Sequence, residues 1–171
     1  MVVRLLGALL VLFATGSTGY TIARSLGERV ALLAQLESLL QYLITEIDYG
    51  LTPFPQALER SGRSLGPAIT GFCSRILSDL EEGKPLRLAW EQGVATLVAL
   101  TPLQPQDGEP LLVLGPVLGL SDRRDQLRHL KLAWEHLHYA QREAELEAQK
   151  KQKLWRYTGL LSGLVIVLLL I

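Results

Sequence analysis

Residues 26–48 read LGERVALLAQLESLLQYLITEID, and this stretch decides the fold. Leu26, Val30, Leu33, Leu36, Leu40, Leu43 and Ile47 recur in steps of three and four, so one face of a helix is apolar from end to end. No stretch of the chain alternates apolar and polar residues as a half-buried strand would. The spacing therefore predicts an all-α protein. Gly50 ends the helix, and Thr52-Pro53 reads as a cap followed by the first residue of a short helix through Ala57, Leu58 and Arg60.

Upstream of this stripe, Leu5 to Ala23 contains no charged residue. Nineteen helical residues span ~28 Å, close to the ~30 Å hydrocarbon thickness of a bilayer. The run Tyr157–Ile171 is also uncharged; its ~22 Å is extended by interfacial Trp155 and Tyr157 and by snorkelling Lys153 and Arg156. Both runs are expected to be transmembrane helices. The rival reading of the first is a signal peptide, with Arg4 as its basic start and Ala14-Thr15-Gly16 as the cut. The uncharged residues that continue to Ala23 favour a span. Arg24, Arg29, Lys150, Lys151, Lys153 and Arg156 flank the middle region against Arg4 outside it, six basic side chains to one, which places the middle in the cytoplasm. Three parts follow: a span over 1–23, a cytoplasmic helical domain over 24–156, and a span over 157–171.

Within that domain a third helix is expected from Pro67 to Glu82, ended by Gly83, and a fourth from Pro85 through Trp90, Val94 and Leu97. Thr101 to Pro110, rich in Pro, Gly and polar residues, reads as the longest loop, followed by a brief helix over Leu111–Leu118. Ser121 then caps a long final helix, with Asp122 in its positive first turn. Leu127, Leu130, Trp134, Leu137, Gln141, Ala144 and Ala148 form a heptad seam on it. That seam reads first as a core face of the same bundle. Its alternative is an intermolecular coiled coil, which would make the chain a homo-oligomer.

The chain's 171 residues include 17 basic and 17 acidic side chains, one Cys and three His. Zero net charge excludes a nucleic-acid binder that relies on bulk charge, and a single Cys73 excludes an internal disulfide. Arg24 to Asp122 holds 7 basic against 12 acidic residues, a net of −5, while Arg123 to Arg156 holds 9 against 5, a net of +4. The basic stem suits the surface of a membrane with anionic lipid. Gly83-Lys84 lacks both the first glycine and the hydroxyl of a phosphate-binding loop. His136 and His138 stand ~200° apart around a helix and cannot share a metal. The pair Glu46 and Asp48 reads as a polar contact surface before it reads as a catalytic dyad. No catalytic residue, cofactor or metal site is expected, and the chain is not read as an enzyme.

The run Glu46-Ile47-Asp48-Tyr49-Gly50-Leu51-Thr52-Pro53-Phe54-Pro55-Gln56-Ala57-Leu58 resembles the region after the first helix of the stage III sporulation protein AB family. So does Leu114-Gly115-Pro116-Val117-Leu118-Gly119-Leu120-Ser121-Asp122 with Asp125-Gln126-Leu127 after it, and the two terminal runs match as well. That family is similar to the cytoplasmic domain of the inner-membrane platform proteins of type II secretion and type IV pilus machines. The pattern appears twice, in Gly50, Pro53, Ala57 and Leu58, and again in Gly83, Leu86 and Ala89.

The resemblance implies a six-helix cytoplasmic bundle between two spans, in the mother-cell membrane engulfing the forespore. It implies a scaffold of a sporulation channel or secretion-like complex that docks a cytoplasmic secretion-type ATPase and other membrane subunits of the complex. The alternative is a pore-lining or lipid-interacting membrane subunit without ATPase docking; Thr15, Ser17, Thr18 and Thr21 favour helix packing over a polar pore face. Partner contact is expected from two turns. One carries Glu46, Asp48, Tyr49, Gly50 and Pro53; the other carries Gly119, Ser121, Asp122, Asp125 and Gln126. Asp48, Asp122 and Asp125 would supply charge for Arg or Lys of the partner.

Overall fold

The apolar face of residues 26–48 lies within helix α1, Val2–Tyr49. Five more helices follow: α2 Phe54–Gly62, α3 Pro67–Glu81, α4 Leu86–Leu100, α5 Pro105–Leu112 and α6 Arg123–Leu170. The structure, a computed structural model, describes residues 2–49, 52–119 and 122–170, with side chains for 24–49, 52–119 and 122–151 and for Ser17 and Thr21. The described residues are all-helical, without a strand. They form two units, Ala31–Arg142 and the pairing of Met1–Val30 with Glu143–Ile171.

In the central unit α1 is buried over a wider arc than its seven-residue stripe predicts. Leu33, Leu36, Leu40 and Leu43 are wholly buried, and so is Leu39, with Leu32 and Ile44 nearly so. A bundle that packs on two sides of one helix covers more than a single stripe. Trp90, fully buried, ties four elements together. Its indole meets Phe54 of α2 edge-on at 6.0 Å between centroids and Phe72 of α3 at 5.3 Å. Its Nε1–H donates to the Leu111 carbonyl of α5 at 2.6 Å, so the one polar atom of the ring is satisfied inside the core. Ile69, Ile76, Leu58, Leu114, Leu118, Leu130 and Leu137 complete this core.

Local chemistry explains most helix ends. Pro67 opens α3 after Gly66, and Gly83 turns the chain at φ +84 before α4, a backbone region glycine enters without steric penalty. The expected loop over 101–110 instead contains α5. Pro105 occupies its first turn, and Gln104 and Asp107 form a reciprocal cap, with the Gln104 N–H donating to Asp107 Oδ2 at 2.8 Å. The helix expected over Leu111–Leu118 is likewise corrected: α5 ends at Leu112 and tight turns carry the chain to Gly119. Pro53 is the residue before α2 rather than its first, and the cap of α6 is Asp122, whose Oδ1 accepts the Asp125 N–H at 2.8 Å. The cap expected at Ser121 lies outside the described residues.

In the terminal unit, Arg29 is 7% exposed and its Nη1 lies 3.2 Å from Glu147 Oε2. Glu147 also accepts from Lys151. These charges hold the Glu147 carboxyl below its ordinary pKa, the Lys151 hydrogen bond first and Arg29 after it. Ala144 and Ala148 are buried beside them, as the fading heptad seam predicts.

Among the described residues one stretch, Arg24–Tyr49, is long and apolar enough to cross a membrane. Its leucines from Leu32 to Leu43 are buried within the central unit, the environment of a core helix. The spans expected at Leu5–Ala23 and Tyr157–Ile171 lie, Ser17 and Thr21 apart, outside the described side chains.

Candidate partner-docking surface

The two turns singled out in the sequence meet at one end of the central unit. Asp48 stands in the last turn of α1 and Arg123 opens α6, and Arg123 Nη2 lies 3.0 Å from Asp48 Oδ1. Both side chains keep more than a third of their surface in water, at 46% and 39%. Asp48, Asp122, Arg123, Arg124 and Leu127 line a shallow groove there.

Beside it, Glu46 Oε2 accepts from Thr52 Oγ1 at 3.0 Å and faces Arg60 Nη1 at 3.6 Å. These contacts tie α2 and the residue leading into it to the last turn of α1. Pro53, exposed, precedes the first helical residue with φ −55 and ψ 141. On the other turn Gly119 has φ +74, and a Cβ there would sit 2.9 Å from Leu86 Cδ2 of α4. A side chain would be strained twice, by backbone and by neighbour. Asp125 Oδ1 accepts from Arg128 at 2.8 Å and lies 3.7 Å from His129. The Gln126 N–H donates to the Asp122 carbonyl at 3.0 Å. Gly50 and Ser121 lie outside the described residues.

Tyr49 is 85% exposed, the highest value among the large apolar side chains described. An aromatic ring held at a helix end and left in water is the residue type that dominates protein contact surfaces.

The three aspartates expected to offer charge to a partner's Arg or Lys each have a partner within the chain. Asp48 is neutralised by Arg123, Asp122 is engaged as the cap of α6, and Asp125 is engaged by Arg128. Four acidic side chains, Glu46, Asp48, Asp122 and Asp125, stand with four basic ones, Arg60, Arg123, Arg124 and Arg128. The surface is balanced, with Tyr49 at its exposed rim. Sequence reading placed Thr52 only as a helix cap and missed Arg123 and Arg124. The signal for those two was the adjacent Arg123-Arg124 pair directly after the cap.

Elsewhere the chemistry is structural. Cys73 is buried against α2, and burial pushes its thiol up to about 12, far from a thiolate at neutral pH. Lys84 donates to Asp79 Oδ1 at 2.5 Å, and this bond, with a second to Glu82, raises the ammonium pKa. Among the described residues no group of three or more His, Cys, Asp and Glu is placed to hold a metal ion.

Comparison with known proteins follows the same lines. The family model of stage III sporulation protein AB matches residues 4–171. A curated relative, stage III sporulation protein AB of Bacillus subtilis (strain 168), is 34% identical over 168 residues, which cover 98% of each chain. A solved structure of a stage III sporulation protein AB superposes with a TM-score of 0.66 at 32% identity, covering 72% of this chain and 98% of that one.

Proposed function

This chain belongs to the stage III sporulation protein AB family and has a role in sporulation, and from that premise we propose that it is a membrane-anchored scaffold of a channel or secretion-like complex between mother cell and forespore. The uncharged runs Leu5–Ala23 and Tyr157–Ile171 anchor it as two spans in the mother-cell membrane, with the basic residues between them holding the helical body on the cytoplasmic side. The body contributes a docking surface and no chemistry of its own.

The observation that carries the docking part is the meeting of two sequence-distant turns through Asp48 and Arg123, with exposed Tyr49 beside them. A balanced surface of this kind suits a partner that is also mixed in charge, and we assign it to the cytoplasmic secretion-type ATPase of the same complex. The other membrane subunits would meet the spans.

Co-purification of the full-length chain with that ATPase from detergent-solubilised membranes tests the assignment. Tyr49→Ala with Arg123→Glu is expected to reduce capture on the order of tenfold or more, the scale of a lost hot spot. Undiminished capture removes the docking assignment. Extraction with alkaline carbonate tests the anchor separately: release of the intact chain from the membrane overturns it.

A further inference from the structure

We propose that the groove between α1 and α6 in the central unit receives an arginine side chain of a protein partner. This groove lies along the two helices, away from the turns at their end, so it stands apart from the docking surface above. Its walls are Glu37, Ser38, Gln41 and Tyr42 of α1, above Ala34, and Trp134 of α6.

Two aromatic surfaces are presented. Tyr42 is 48% exposed. The Trp134 indole stacks on His138 one turn further along, with 5.2 Å between centroids and 8° between planes. His138 is held in turn by Glu37, its Nδ1 lying 2.9 Å from Glu37 Oε2. With Nδ1 carrying the hydrogen, that contact satisfies one carboxylate oxygen and fixes the stacked pair.

The other oxygen is the telling one. The Glu37 side chain is only 13% exposed, and its Oε1 is buried without a hydrogen-bond partner. A carboxylate can accept about four hydrogen bonds, and leaving one oxygen buried and bare is costly. The neighbouring hydroxyl does not relieve it, since Ser38 Oγ donates to the Ala34 carbonyl at 2.9 Å. The terminal torsion of a glutamate is soft, so a donor entering the groove that Glu37 lines can draw this oxygen to it, the His138 contact adjusting as both oxygens turn together.

The occupant that answers this site is a guanidinium. It is planar and stacks on aromatic faces, it keeps its charge, and it donates along a fork that matches a carboxylate. A neutral side chain would offer the carboxylate no charge, and an acidic one would be repelled by Glu37.

The full-length chain in phospholipid nanodiscs, labelled with 15N on its three tryptophan indoles, tests this. The Trp134 signal is assigned by its loss in Trp134→Phe. Titration with N-acetyl-arginine-methylamide is expected to shift that signal saturably, with half-saturation on the order of millimolar for so small a ligand. The neutral isostere N-acetyl-citrulline-methylamide should leave it in place. Glu37→Gln is expected to weaken the response at least tenfold. Gln41→Arg, one turn beyond Glu37, should abolish it by filling the groove from within. A response without saturation, or one that the citrulline compound reproduces in the wild-type chain, overturns the proposal whatever the variants do.

Discussion

The guanidinium of Arg123 lies 3.0 Å from the Asp48 carboxylate, joining the end of α1 to the start of α6 across 75 residues of sequence. Four helices lie between them in sequence. The pair therefore marks where the two turns of the docking surface come together in the closed bundle.

Its energetic weight is small, because both partners are well exposed. A double-mutant cycle with Asp48→Ala and Arg123→Ala should return a coupling of about 0.2–1 kcal/mol by urea denaturation, shrinking as salt rises. A coupling above ~2 kcal/mol would mean that the pair is sequestered from solvent.

Trp90 should behave in the opposite way. Trp90→Ala empties the centre of the central unit and is expected to cost about 3–5 kcal/mol. Trp90→Phe retains most of the packing and removes one of two donors to the Leu111 carbonyl, which keeps the Leu114 N–H at 3.1 Å, so the lost hydrogen bond is expected to cost only about 0.5–1.5 kcal/mol. Near-ultraviolet circular dichroism through a denaturant series distinguishes the two.

The two left-handed glycines among the described residues separate strain from crowding. Gly83→Ala meets nothing within 4 Å, so its cost is the backbone penalty alone, about 1–2 kcal/mol. Gly119→Ala carries the same penalty and also displaces the Leu86 methyl. It should be the more destabilising of the pair in melting temperature, and equal losses would show that Leu86 gives way freely.

Cys73 makes alkaline stability readable. Its folded thiol titrates at about 12 against an ordinary 9.0, so the folded state keeps a proton that the unfolded state loses. Stability from this group is complete below pH 9 and declines as pH rises toward 12. Iodoacetamide should label Cys73 at pH 8 only as fast as the domain unfolds, and Cys73→Ser should flatten the alkaline decline.

Glu147 works at the acid end. Lys151 and Arg29 depress its folded pKa below 4.5, so the stability it supplies is present above that value and is lost as pH falls through the depressed one. A third of the side chain is exposed, so the contribution stays under ~1 kcal/mol. Glu147→Gln should lower stability at pH 7, and the difference should shrink as pH falls below 4.5, as read by thermal melts.

What the sequence determined by itself was everything that repeats locally. The three-and-four spacing of Leu33, Leu36, Leu40 and Leu43 made α1, Gly83 closed α3, and the Leu130–Leu137 seam faced α6 inward, because helix period and turn chemistry act over a few residues. Its failure at α5 is instructive. Proline and glycine in residues 105–110 read as loop, yet Pro105 in a first turn and the Gln104–Asp107 cap start a helix, and burial of Leu111 beneath Trp90 holds it. Tertiary structure alone decided which distant charges are spent on one another. Asp125 meets Arg128 three residues on along the same helix, a pairing the spacing alone allows, but only folding brings Arg123 to Asp48 and leaves Tyr49 in water. Coulomb attraction acts over a few ångströms of space, and no local pattern encodes which residues a closed bundle makes neighbours.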